Sequence, residues 1–344
     1  MPEEGCKMQD SFGRVIDYAR ISVTEHCNLK CVYCMPDTGD SGVSAADLSC
    51  AENANQILSY DDIRYLCEEL AALGVTQFRI TGGEPLVRPR VHELVRGIKE
   101  IADVTYVGLT TNGILLPDQA KALATAGLDG INISLDTMDH DRYRRITRNG
   151  DLTLALAGIQ SALDAGIPKI KINCVPMDGI VEEDVVHIAE LAKDKKFHIR
   201  FIEMMPIGCG DAQHMRMRMI ENKEIRAILE RHFGALTPWA GKVGNGPAEY
   251  FSVPGFQGSI GFISAMSSSF CQKCNRIRIT SDGTMKTCLH MDQGVTLYQA
   301  IKAREGKQLR NRLEQAVWNK PARHHLGEST AAGADQRHMF QIGG

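Results

Sequence analysis

The sequence has no apolar run of membrane-spanning length, and its N-terminus shows neither the hydrophobic region of a secretory signal nor an Arg-rich presequence. The expectation is a soluble, cytoplasmic protein with no membrane partner. Charge of one sign is lacking too: 39 Lys and Arg against 42 Asp and Glu leave a net charge of −3. That balance argues against broad nucleic-acid binding but is compatible with a local basic pocket. There is no P-loop, so phosphate would have to be read by side chains rather than by a glycine cradle. No internal repeat is visible beyond an alternation of strand-like and helix-like segments. What remains is a 344-residue chain of ordinary globular composition, long enough for one barrel-sized domain and a smaller unit.

Cysteine, by contrast, is plentiful, with 11 residues. In a reducing compartment clustered cysteines point to metal or catalysis rather than to a disulfide framework. Six fall into two groups: Cys27, Cys31 and Cys34, then Cys271, Cys274 and Cys288. Cys6, Cys50, Cys67, Cys174 and Cys209 are scattered and carry no assigned chemistry. Cys67 on an apolar helix face and Cys174 in an apolar strand read as small buried thiols.

Residues 1–16 lack periodicity and read as a loose arm. From Asp17 to about Met205, β-branched runs alternate with helical patterns. The strand candidates are Tyr18–Val23, Gln77–Thr81, Thr105–Leu109, Gly130–Leu135, Lys169–Val175 and His198–Glu203. The first helix carries the stripe Ile63, Leu66, Cys67, Leu70 and Leu73, with Ser59 and Asp62 as a capping box and Gly74 as its stop. Six β-α units in succession predict a parallel sheet with helices outside, either doubly wound or curved. Arg20, Arg79, Lys171 and Arg200 each interrupt an apolar strand. Cations inside a protein interior are costly, so a curved sheet whose lumen receives an anion explains all four. The competing explanations are snorkelling at strand ends, Lys169 being the first suspect, or pairing with a carboxylate such as Glu203. The predicted fold is therefore α/β: a partial TIM-type (β/α)6 barrel over 17–206 and a smaller C-terminal α+β domain over 207–320. A tail over 321–344 ends in Gly-Gly. The loop Asp37–Leu58 and the segment Pro321–Arg337 carry no interpretable pattern.

In α/β barrels, functional groups gather on loops after the strands. Cys27–Cys34, spaced C-x3-C-x2-C, follows the first strand. Three thiolates with one position open suit chemistry better than structural closure, although a structural zinc completed by a distant residue has the same look. Thr81-Gly82-Gly83-Glu84-Pro85, Thr110-Thr111-Asn112-Gly113, Ser134-Leu135-Asp136 and Glu203-Met204-Met205-Pro206 close other strands. Each is weak alone; their placement on one rim is informative.

The C-x3-C-x2-C loop, with Tyr33 before its last cysteine, resembles the signature of the radical S-adenosylmethionine superfamily, and Gly82-Gly83-Glu84-Pro85 resembles its second motif. The resemblance implies a 4Fe–4S cluster on Cys27, Cys31 and Cys34 whose open iron takes S-adenosylmethionine, as the catalytic centre. It implies that the Gly83 backbone meets the methionine amino group and that Tyr33, Ser134 and Met205 surround the adenosine. Reductive cleavage there would release a 5′-deoxyadenosyl radical.

The second group, Cys271-Gln272-Lys273-Cys274-Asn275-Arg276-Ile277-Arg278 followed by Ser281-Asp282-Gly283 and Cys288, resembles the GTP 3′,8-cyclase family of molybdenum cofactor biosynthesis. A zinc knuckle completed by His290 is the plainer alternative. The resemblance implies a second 4Fe–4S cluster on Cys271, Cys274 and Cys288, its free iron facing guanine. It carries Arg20, Arg79, Thr110, Lys171, Arg276, Ile277 and Arg278 over as GTP contacts, with Arg200 beside the site. Bidentate Arg recognition suits a triphosphate. The implied reaction removes hydrogen from ribose C3′, joins C3′ to guanine C8 and yields (8S)-3′,8-cyclo-7,8-dihydroguanosine 5′-triphosphate. The family also implies a low-potential electron donor, a downstream cyclic pyranopterin monophosphate synthase, a monomer or homodimer, and a Gly-Gly tail that enters the active site. Two rivals stand beside this reading. A peptide-maturing radical enzyme would usually carry more auxiliary cysteines; a zinc-binding interaction module would carry no iron.

Overall fold

Six strands alternate apolar and polar residues in phase with one another: β1 (Tyr18–Ser22), β2 (Gln77–Thr81), β3 (Tyr106–Thr111), β4 (Gly130–Ser134), β5 (Ile170–Cys174) and β6 (His198–Ile202). In this computed structural model the residues described are 7–35, 57–177, 181–205, 207, 219–241, 243–291, 294–324 and 337–343. Cys6, Cys50, Cys209, Pro206, Gly344, most of the loop Asp37–Leu58 and residues 325–336 lie outside them.

Ala19, Ile21, Phe78, Ile80, Val107, Leu109, Ile131, Ile133, Ile172, Ile199 and Phe201 are buried on one face of the sheet, in the core. Because strand side chains alternate, the other face receives Arg20, Arg79, Thr110, Asn132, Lys171, Asn173 and Arg200. The registers put these side by side: Arg20 opposite Arg79, Thr110 opposite Asn132, Asn132 opposite Lys171, Asn173 opposite Arg200. All pairings from β1 to β6 are parallel and follow chain order, without the reversal of a doubly wound sheet. That is the order of a partial barrel.

Helices cover the apolar face: α1 (Tyr60–Ala72), α2 (Val91–Lys99), α3 (Leu116–Thr125), α4 (His140–Thr147), α5 (Leu152–Asp164) and α6 (Glu182–Glu190). α1 starts where expected. The Ser59 hydroxyl accepts from Asp62 N at 3.1 Å, and Asp62 Oδ2 accepts from Ser59 N at 3.0 Å. Its stripe of Ile63, Leu66, Cys67 and Leu70 is buried, and Gly74 ends it at φ +89°. α4 (HDRYRRIT) buries only Tyr143 and Thr147. It has no apolar stripe to betray it; Asp139, accepting from Arg142 N at 2.7 Å, caps it instead.

The C-terminal part adds α7 (Asn222–Phe233), β7 (Thr237–Pro238), β8 (Glu249–Ser252), β9 (Ser259–Ile263), β10 (Arg276–Ile279), β11 (Thr284–Lys286), β12 (Val295–Thr296), α8 (Tyr298–Lys302) and α9 (Gly306–Trp318). A short α10 (Met339–Ile342) follows. Its strands extend the same sheet at both edges. β9 pairs parallel with β6, β10 pairs parallel with β1, and the order is β12-β11-β10-β1-β2-β3-β4-β5-β6-β9-β8-β7. Lys302 and Arg304 pair with Asp62, and Arg310 with Glu69, fixing the last helices to α1. No helix among the described residues is long and apolar enough to cross a membrane.

The N-terminal arm is not loose over its described part. Residues 7–16 turn back on themselves through a Gln9–Val15 bridge and bury Met8, Asp10 and Ile16. Its polar sequence hid this because the anchors are few and are fixed by Arg14, whose ion pair with Asp10 is buried.

Candidate active site

A cavity of about 680 Å³ opens over the polar face of the sheet, and the side chains of both cysteine groups line it. Its floor is cationic. Arg79 Nε donates to Tyr18 Oη at 2.5 Å, Nη1 to Leu109 O at 3.0 Å and Nη2 to Tyr106 Oη at 3.1 Å. Gly108 makes room for it: a Cβ there would lie 2.8 Å from Arg79 Nη2. Burial works against the Arg79 charge, but Tyr18 and Tyr106 outweigh it and hold its pKa above the ordinary value. The Lys171 ammonium is pushed down to about 6 by burial and then by Arg200, Arg79 and Lys169. Arg278 is pushed down to about 10 by burial and by Arg276. Burial and then Arg278 lower Arg20. Cations that are buried and repel one another would be relieved by a polyanion.

The carboxylate explanation does not hold for Arg200. Arg200 Nε donates to Asn173 Oδ1 at 2.8 Å, not to Glu203. Glu203 instead accepts from the backbone N–H groups of Asn222, Met266 and Ser267 and from the Ser267 hydroxyl. Lys169 is exposed and reaches over the Tyr106 ring at 5.9 Å, as a snorkelling residue does.

The first cysteine loop is held by backbone on both sides. Lys30 N donates to Thr147 O at 3.2 Å and Val32 N to Ile146 O at 2.9 Å, docking the loop on the end of α4. Gly83 N donates to Thr24 O and Glu84 N to His26 O, both at 2.8 Å. A Cβ on Gly83 would sit 2.4 Å from His26 O and 2.5 Å from Glu25 O, so only glycine lets this turn approach the segment entering Cys27. Buried Glu84 accepts from Thr111 Oγ1 at 2.8 Å and Asn112 N at 2.7 Å, and burial raises its carboxyl to about 7 against those bonds. It ties the turn after β2 to the turn after β3.

Cys27, Cys31 and Cys34 are half-buried and face the cavity. Burial pushes the Cys27 thiol up to about 11 and the Cys34 thiol up to about 12, and a metal group binds such sulfurs by displacing their protons. Gly83, Ser134 and Met205 line the same cavity. Tyr33 lines it as well, its hydroxyl donating to Asp136 Oδ2 at 2.9 Å, while Asp136 Oδ1 accepts from Val175 N at 2.8 Å.

Cys271, Cys274 and Cys288 reach the cavity from the opposite end of the strands, carried by a single 3-10 turn (Cys271–Lys273), the second residue before β10 and the segment after β11. Burial alone would raise the Cys274 thiol, but Arg276, Lys320 and Arg14 outweigh it and hold it below its ordinary value. Arg276 lies over the Phe270 ring at 4.8 Å, and Arg276 and Arg278 both face the cavity. Ile277 does not. Strand alternation puts its side chain in the core, so only its peptide group remains for a ligand. His290 does not line the cavity either. Among the described residues no three His, Cys, Asp or Glu side chains converge as a single metal ion requires. A cluster, which spreads its thiolates over several irons, has no such requirement. Both cysteine groups therefore fit clusters by donor type and by their opening on one cavity.

Several lining residues had no sequence flag. Asn132 and Asn173 lie between the cations; the Asn132 Oδ1 is buried without a hydrogen-bond partner. Their in-phase position on β4 and β5 was the available signal. Tyr18 and Tyr106, which orient Arg79, could be found the same way. Gly244–Pro247 and His324 could not, because they arrive from loops.

Comparison with known proteins agrees with this geometry. The Radical SAM superfamily profile matches residues 21–192 and the Molybdenum Cofactor Synthesis C profile matches residues 197–326. The chain is 41% identical over 338 residues to the GTP 3′,8-cyclase of Pelotomaculum thermopropionicum, covering 98% of this chain and 100% of that one. The chain belongs to the GTP 3′,8-cyclase family. The cyclase of Moorella thermoacetica, at 40% identity, is covered to the same extent. Among solved structures, Streptococcus suis SuiB bound to S-adenosylmethionine has a TM-score of 0.56 at 14% identity, over 89% of this chain and 64% of SuiB. That likeness shows the fold alone. The cyclase family and the radical fold thus meet in one chain, and the family has S-adenosylmethionine and iron–sulfur clusters as its cofactors.

Proposed function

We infer that this chain is a GTP 3′,8-cyclase, converting GTP to (8S)-3′,8-cyclo-7,8-dihydroguanosine 5′-triphosphate at the first step of molybdenum cofactor biosynthesis. The observation that carries the reading is one cavity with a three-cysteine group at each end and buried cations between them. In this assignment Cys27, Cys31 and Cys34 hold the first 4Fe–4S cluster, and Cys271, Cys274 and Cys288 the second. Gly83, Tyr33, Ser134 and Met205 receive S-adenosylmethionine. The division at residues 206 and 207 separates the part that holds the cosubstrate from the part that holds the second cluster.

When bound, the first cluster and S-adenosylmethionine supply the 5′-deoxyadenosyl radical. The chain's own residues do the rest by binding and orientation. Arg20, Arg79, Lys171, Arg276 and Arg278 supply positive charge for the triphosphate, with Thr110 as a neutral contact. Ile277 contributes through its backbone. Tyr18, Tyr106 and the Leu109 carbonyl fix the plane of Arg79. Lys171, depressed in the free protein, takes up a proton as phosphate arrives. Met339 and Phe340 line the cavity and the Gly343 carbonyl accepts from Arg278, so the chain end shields the substrate from water. A cytoplasmic setting, a low-potential electron donor and hand-over to a cyclic pyranopterin monophosphate synthase complete the proposal.

The test is anaerobic. Reduced, reconstituted protein is incubated with S-adenosylmethionine with and without GTP, and 5′-deoxyadenosine and the cyclised nucleotide are measured. Product that requires GTP supports the reading; cleavage of S-adenosylmethionine indifferent to GTP, with no cyclised nucleotide, refutes it.

A further inference from the structure

Lys320 is an ammonium buried to 2% exposure, two residues after α9, on a stretch the sequence gives no reason to notice. Its Nζ donates to Arg276 O at 3.0 Å and to the carbonyl of Thr287. These acceptors flank two cysteines: Thr287 immediately precedes Cys288, and Arg276 follows Cys274 by two residues. Lys320 also reaches the Cys274 sulfur and lies beside Cys288. Its described partners are carbonyls and a thiol, none of them a carboxylate. The third cysteine is tied to the same stretch by a second cation. Arg14 Nη1 donates to Cys271 O at 2.8 Å and to Ala322 O at 3.0 Å, while Nη2 donates to Pro321 O at 2.7 Å. Residues 320–322 therefore gather all three cysteine-bearing segments from behind.

A buried cation without a carboxylate is an unfavourable arrangement for a protein that holds nothing there. It becomes a favourable one if negative charge sits on the sulfurs it faces. Hydrogen bonds and charge immediately outside a metal's ligands set ligand spacing, metal retention and potential.

We propose that Lys320 is the positioning residue of the second cluster, clamping the segments that carry Cys274 and Cys288 at a fixed separation and placing a positive charge beside the thiolates. This rests on the reading of Cys271, Cys274 and Cys288 as cluster ligands. Lys320 touches no substrate. A nearby cation favours the reduced, more negative form of a cluster, so its removal shifts the midpoint potential downward.

The test isolates the second cluster in the full chain. A parent carrying Cys27→Ala, Cys31→Ala and Cys34→Ala is reconstituted anaerobically and compared with the same protein bearing Lys320→Met or Lys320→Gln. Iron content, the rate of iron loss to a chelator and the midpoint potential by electron paramagnetic resonance are measured, with circular dichroism checking the fold. Lys320→Met is expected to lose iron about 10–100-fold faster, and both variants to titrate at a more negative potential than the parent. Glutamine keeps a donor but no charge, so it is expected to retain iron better than methionine while showing the same sign of shift. If methionine prevents folding, the glutamine variant carries the potential measurement alone. Variants that match the parent in both retention and potential overturn the role of Lys320. A parent that binds no iron–sulfur cluster overturns the ligand assignment itself, and this inference with it.

Discussion

Arg278 donates a hydrogen bond to the carbonyl of Gly343, joining a strand beside the second cysteine group to the end of the chain. The same tail touches the first group, where the Phe340 backbone bonds to Cys34. The tail thus lies against Cys34 and against Arg278 of β10, with a buried Phe340 and Ile342 holding it down. Gly343 is at φ +85°, and a Cβ there would lie 3.0 Å from Thr81 Cγ2 and 3.1 Å from Ser22 Cβ.

Gly343→Ala should therefore displace the tail, removing the Phe340 backbone contact to Cys34 but none of the six cysteines. A left-handed backbone with a crowded Cβ costs about 1–3 kcal/mol, enough to release a short terminal helix. The expected result is a fall of roughly tenfold or more in kcat/KM for GTP, with iron content unchanged. Equal activity in the variant and the parent would remove the tail from the site.

Cys31→Ala tests the division of labour between the two ends of the cavity. With the first group broken, 5′-deoxyadenosine formation should be abolished, while about half the iron, roughly four atoms per chain, remains. Cys288→Ala should do the reverse, retaining slow cleavage of S-adenosylmethionine but losing its dependence on GTP. Iron analysis and chromatography of the nucleoside product check both. Loss of all iron from either single variant would mean that the two groups do not load independently.

Much of this was legible in the strands. Arg20, Arg79, Lys171 and Arg200 announce a lined lumen because a cation in an apolar strand is out of place whatever the tertiary structure. The capping box at Ser59 and Asp62 is equally local. Where the C-terminal strands would pair was not legible. Nothing in Ser259–Ile263 or Arg276–Ile279 says that one joins β6 and the other β1, since their pairing partners lie 61 and 258 residues away. The same non-locality hid Lys320 and Arg14, whose roles come from carbonyls contributed by distant segments. For Ile277, period-2 alternation places the side chain away from Arg276 and Arg278, so its assignment as a GTP contact rests on its peptide group.

Lys171 gives the site a pH dependence of predictable sign. In the free protein its pKa is depressed to about 6; a bound triphosphate raises it. Between the free and bound values, binding takes up a proton, so affinity falls as pH rises, by at most about tenfold per unit. The ligand's own phosphate titration cancels if the ratio of wild-type to Lys171→Met affinity is followed. That ratio should decline from pH 6.5 to 8.5 in calorimetric titrations. A ratio that stays flat would show that Lys171 does not meet the phosphates.

Arg79→Lys separates charge from geometry at the floor of the cavity. Arginine here commits three of its five N–H groups to Tyr18, Tyr106 and the Leu109 carbonyl, which fixes the plane it presents. Lysine keeps the charge but cannot satisfy three divergent acceptors and a ligand together. Tyr18 and Tyr106 then keep buried hydroxyls without the donor they now share, a loss of about 1.5–3 kcal/mol for a charged hydrogen bond. The expected outcome is a rise in KM for GTP of about tenfold or more, with the first cluster and its slow GTP-independent cleavage of S-adenosylmethionine intact. A lysine variant with unchanged KM would mean that positive charge alone serves, and that the tyrosine-braced plane of Arg79 has no part in recognising the substrate.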